Sequence, residues 1–186
     1  MAFWCLALGI PLLAYGVLSL IETERMARWL VAFPRNRTAA WTLCAIGWFW
    51  TAHELDTIGI EVFDRYLKAF PGQLWIMAAV LTVLTCWWMP NLLSLRGVSA
   101  IFMLFPAELF PAVRIYDTDW RLAPVVLAYI CAITGMFGMF YPWRIRQALA
   151  WRAASPTRIR AFGVAFLAYG ALLAILGAAA AIGALS

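Results

Sequence analysis

The feature that most limits what this chain can fold into is its succession of long apolar stretches, separated by short connections that hold most of its arginines. Inside lipid no water is available to backbone amides, so a stretch that crosses a bilayer must be helical and needs about 20 apolar residues. Spans are expected on this ground at residues 3–21, 38–52, 73–95, 97–115, 122–143 and 159–181. The second is short, and Pro106 and Pro111 are expected to interrupt the fourth. A content of 66% hydrophobic and 12% charged residues agrees, because a soluble domain of 186 residues could not hide that much apolar surface. The expectation is an all-α polytopic membrane protein, a single transmembrane domain (1–186) of about six helices in a bundle. Residues 1–20 lack the charged start and polar sequel of a cleaved signal, so the first stretch is expected to remain as a helix.

Lysine and arginine near helix ends are retained on the cytoplasmic side, so their distribution gives an orientation. Arg25, Arg28, Arg35, Arg37, Arg96, Arg144, Arg146, Arg152, Arg158 and Arg160 all fall in alternate connections. The other connections hold only Arg65, Lys68, Arg114 and Arg121, together with most of the acids. Both termini are therefore expected on the outer side. The net charge of +5 sits in short loops and not on a continuous basic face, which disfavours nucleic acid and points to anionic lipid as the counter-charge. Tryptophan prefers the headgroup level. Trp4, Trp48, Trp50, Trp75 and Trp120 would form an outer belt, and Trp29, Trp41, Trp87, Trp88, Trp143 and Trp151 an inner one.

Two connections read as short interfacial amphipathic helices. In 22–33, Met26, Trp29, Leu30 and Phe33 share one side and Arg25 and Arg28 another; 58–70 alternates similarly. Residues 9–20 (GIPLLAYGVLSL) and 163–174 (GVAFLAYGALLA) share a Gly and a Leu-Ala-Tyr-Gly core, and Trp29 and Trp151 each stand five residues before a proline, Pro34 and Pro156. A duplication would make 3–52 and 122–181 parallel hairpin repeats. Gly9 and Gly16, and Gly163, Gly170 and Gly177, recur seven apart on helical stripes suited to close helix packing, inside the bundle or against a partner subunit.

The stretch from Ile133 to Leu173 has an apolar helix ending at Tyr141, Pro142, Trp143 and Arg144, a basic connection, and then Pro156, Arg158, Arg160, Gly163 and Gly170. In these features the C-terminal hairpin resembles the family of very small two-helix bacterial inner-membrane proteins of unknown function that includes YjeT. The resemblance covers under a quarter of the chain and brings no catalytic residues. It implies a bacterial cytoplasmic (inner) membrane setting and nothing sharper; in that membrane the spans and the arginine pattern lead to the expectation of a multi-pass chain with periplasmic termini.

Few residues carry chemistry. Cys5, Cys44, Cys86 and Cys131 fall in separate apolar segments and read as packing residues. His53, the single histidine, lies among Trp48, Phe49 and Trp50 and before Glu54 and Asp56; it is either a hydrogen-bonded helix end or one-sided ligation for a tetrapyrrole, with a carotenoid as the other pigment class. Glu108, between two prolines, is an ionisable group within a span and so a functional hypothesis by default. If the second and fourth spans touch, His53, Glu54, Asp56, Glu108 and Arg114 would converge as a transport or polar cluster. No phosphate loop, nucleophile elbow, dinucleotide fingerprint or metal-ligand set occurs, and none of Ser19, Ser94, Ser99, Ser155 and Ser186 has a base close by in sequence. The sequence is thus read as a non-catalytic subunit, without a required cofactor, that packs against or scaffolds a larger inner-membrane assembly, an energy-transducing complex being one such class. The alternatives are a small transporter or channel using Glu108 and a pigment or haem binder using His53.

Overall fold

The computed structural model describes residues 2–57, 72–89, 91–114 and 118–182. Every regular element among them is helical: α1 (Ala2–Ile21), α2 (Thr23–Ala32), a 3-10 turn (Phe33–Arg35), α3 (Arg37–Thr57), α4 (Gln73–Trp88), α5 (Leu93–Arg114), a second 3-10 turn (Asp119–Arg121), α6 (Leu122–Phe140), α7 (Pro142–Ala153) and α8 (Pro156–Ala181). Among the described residues four helical segments are long and apolar enough to cross a membrane: Ala2–Ile21, Leu93–Arg114, Asp119–Phe140 and Pro156–Ala181. α3 has the length, but Arg37, His53, Glu54 and Asp56 make it more polar. α4 is apolar but only 16 residues long.

The boundary between the third and fourth expected spans moves. α4 stops at Trp88, short of the expected residue 95, and α5 starts at Leu93, ahead of the expected 97. Met89 precedes a proline, which disfavours the α conformation, and its φ of −124° and ψ of 59° close the helix. Leu92 then takes a left-handed φ of 57°, a strained value for a leucine, as the chain turns into α5. α5 itself corrects another expectation, for it runs unbroken through Pro106 and Pro111. Each proline deletes one amide donor, but α3 and α6 pack along α5 and hold the helix together.

The tightest pairing joins α1 to α8, and glycine makes it possible. A Cβ on Gly9 would lie 2.9 Å from the Ala174 nitrogen, and one on Gly16 2.8 Å from the Leu167 nitrogen. The reciprocal positions are equally close: Gly170 faces Leu13 and Gly9, Gly163 faces Ser19 and Gly16, and Gly177 faces Leu6. The helices are therefore antiparallel. Because Gly9 meets Gly170 while Gly16 meets Gly163, the two Leu-Ala-Tyr-Gly segments are related by a local two-fold lying across the helix axes. The stripes thus face each other within the chain. Gly135 and Gly138 similarly admit Ser99 and Met103 of α5 against α6.

α2 lies across the start of α8 and along α7, burying Met26 and Leu30 with Ile159 while Leu149 and Ala153 pack alongside. Trp29, expected on the same stripe, is half exposed. The Ser94 hydroxyl donates to the Phe33 carbonyl at 3.0 Å and ties the start of α5 to the turn after α2. All the arginine-rich connections therefore gather at one end of the bundle, the basic end. Of the expected outer tryptophans, Trp4 and Trp50 instead pack against the cluster of Phe105, Leu109, Val113 and Ala128, and Trp48 fills the contact between α3 and α4. Their rings complete helix contacts that the sequence pattern did not expose, whereas Trp75 and Trp120 remain open. The expected helix over 58–70 lies outside the described residues.

Candidate functional site

α3 and α5 run side by side in the same direction, with Gly97 against Leu43 and Gly47 against Ala100. Continuing that register away from the basic end brings together the last turns of both helices. His53 Nε2 stands 4.0 Å from Glu108 Oε1, an ion pair only when the imidazole is protonated. The side chains are 54% and 36% exposed, so solvent screens the pair and its contribution to stability is small.

The surrounding residues divide. Trp50 donates its indole N–H to Glu54 Oε1 at 3.1 Å, which fixes Glu54 to its own helix one turn back. Asp56 and Arg114 are exposed near the ends of α3 and α5. Of the residues expected to converge, His53 and Glu108 stand 4.0 Å apart, and Glu54 is bonded to Trp50. Since α5 is continuous, Glu108 projects from an ordinary helical turn, not from an opened backbone.

Polar groups within the long helices either join two helices or bond back to their own backbone. Trp48 donates to the Thr85 hydroxyl at 3.1 Å, joining α3 to α4, and Tyr169 donates to the Ala123 carbonyl at 2.6 Å, joining α8 to α6. The Ser19, Thr82 and Ser99 hydroxyls return to carbonyls four residues earlier. Cys5, Cys44 and Cys86 are buried free thiols, with Cys44 and Cys86 in one cluster between α3 and α4; Cys131 is partly buried.

Sequence reasoning missed Arg152. It was counted among basic connection residues, yet it is only 8% exposed. Its guanidinium lies 4.6 Å from the Phe162 ring, 5.2 Å from Tyr15 and 5.6 Å from Phe166, while Nε and Nη2 have no acceptor. Burial lowers its pKa, partly offset by Tyr15. A signal was present: Arg152 shares a face of α7 with Leu149 and Ala153, which the spacing of three and four places together. By contrast Arg158, stacked 4.2 Å from Trp151, is only partly buried and donates to the Trp151 carbonyl. Among known proteins, no family model, curated protein or solved structure matches this chain.

Proposed function

We propose that the chain is a non-catalytic, multi-pass subunit of the bacterial inner membrane that packs against or scaffolds a larger membrane assembly, an energy-transducing complex being one such class. In this reading α1, α3, α4, α5, α6 and α8 are its six spans and both termini are periplasmic. The observation that carries it is α4. Among the described residues its substantial contacts are with α3 alone, and it turns Trp75, Ile76, Val80, Val83, Leu84 and Trp87 outward. At 1.5 Å per residue its 16 residues reach about 24 Å, short of a hydrocarbon core of about 30 Å. A short helix whose outward flank meets none of the described residues can be accommodated by packing beside another protein helix. Many polar side chains of the long helices are bonded to their own backbone or to a neighbouring helix, which fits a packing role.

Extraction in mild detergent tests this. A stable co-purifying membrane chain is expected, and Val83→Arg should release it while the protein still folds; elution always alone, with no companion chain, would overturn the proposal.

A second reading draws on the approach of His53 to Glu108, which suits proton-coupled transport at the end opposite the arginines. Glu108→Gln should then abolish proton flux in proteoliposomes, whereas unchanged flux removes the idea. Pigment ligation by His53, with a tetrapyrrole or a carotenoid beside it, predicts visible absorbance in protein from its native source. A colourless preparation ends that alternative.

A further inference from the structure

Near the basic end, α3, α4, α5 and α6 enclose a crevice of about 300 Å³ whose walls include Cys44, Trp48, Ala100 and Met139. It is apolar except for the Trp48 to Thr85 hydrogen bond and one charge, that of Arg96. Arg96 is poorly matched where it stands. Its Nη1 donates to the Met89 thioether at 3.0 Å, a weak acceptor, and its buried Nε has none. It also occupies the first turn of α5, where the helix dipole is itself positive and no acidic residue balances it. A buried donor on a guanidinium is costly to leave unmade, and an anion would both accept from the side chain and balance the positive helix end.

We propose that this crevice is a binding site for an anionic phospholipid, one acyl chain lying along Trp48 and Ala100 and the phosphate held by Arg96. Charge complementarity selects the headgroup and the apolar walls select the chain, so free phosphate satisfies only half of the site. The proposal rests on the membrane reading alone and is independent of any partner subunit. It also differs from general attraction to the arginine-rich end, because Arg144 and Arg146 stand outside the crevice.

Delipidated protein in neutral detergent should be titrated with phosphatidylglycerol and with phosphatidylcholine of the same chains, bound lipid being counted by native mass spectrometry. The intact protein is expected to retain phosphatidylglycerol about tenfold more tightly, the scale of one charge-assisted contact. Arg96→Gln should erase that preference and leave phosphatidylcholine unchanged. Ala100→Phe should weaken retention of both lipids by filling the crevice, and it tests the site even if the Arg96 variant fails to fold. Millimolar inorganic phosphate should not compete. The proposal is overturned if Arg96→Gln keeps the preference, if Arg144→Gln with Arg146→Gln removes it equally, if Ala100→Phe binds both lipids as before, or if phosphate alone displaces the lipid.

Discussion

Gly170→Leu should cost about 3 kcal/mol or more and lower the melting temperature in detergent sharply, with Gly170→Ala in the range of about 1–3 kcal/mol typical of overpacking. The reason is what a side chain would meet. A single added carbon at this position lies 2.7 Å from the Leu13 nitrogen and 3.0 Å from the Gly9 oxygen, and both are backbone atoms that cannot rotate away. α1 and α8 would have to separate, which loosens the contacts at Gly9, Gly16, Gly163 and Gly177 as well. Gly47→Ala is the control. Its Cβ would approach Ala100 at 3.5 Å, an ordinary contact, so alanine there should be neutral or stabilising through helix propensity. Circular dichroism on heating reads all three variants, and a Gly170→Leu protein that melts with the parent would refute the interlocked pairing.

The second large effect is expected at Arg152. Arg152→Ala should destabilise by about 2–4 kcal/mol, because it empties the space among Tyr15, Phe162 and Phe166 and unpins α7 from α1 and α8. Arg152→Met should recover most of that loss. Methionine fills the volume without a desolvated charge, and replacing a buried ion by an apolar group of similar size is often neutral. The direction of the pKa agrees, since a base lowered by burial has its charged form disfavoured in the folded state. The guanidinium remains protonated across neutral pH, so this penalty does not vary there and the two variants should differ equally at every neutral pH tested. If methionine proves as harmful as alanine, the charge itself is needed, and the ring contacts alone do not explain the residue.

Several parts of this arrangement could be read from residue order. Arginine placement predicted that alternate connections share one end, and α2, α7 and the starts of α5 and α8 do meet there. The apolar side of α2 was legible in Met26 and Leu30, and the glycine spacing announced close packing although not between which helices. Other features were not legible. Two prolines look like a break when α5 is considered alone, but flanking helices supply packing that an isolated segment lacks. Trp4, Trp48 and Trp50 fit an interfacial belt by position, and only the structure shows which helix contacts their partly buried rings complete. Arg152 looked like one more loop cation because burial depends on what covers a residue.

Sequence by itself determined the solvent-facing logic of this protein. Long apolar stretches demand helices, and helices bounded by alternating charge must reverse direction at each connection. Tertiary structure alone decided which helix lies beside which. That choice turned the glycines of α1 and α8 towards each other, set His53 4.0 Å from Glu108, and left Arg96 at an apolar crevice without a good acceptor. The physical reason is that hydrophobicity has no direction: it states that a face must be covered, whereas backbone approach, ring contacts and hydrogen-bond geometry select the neighbour that covers it.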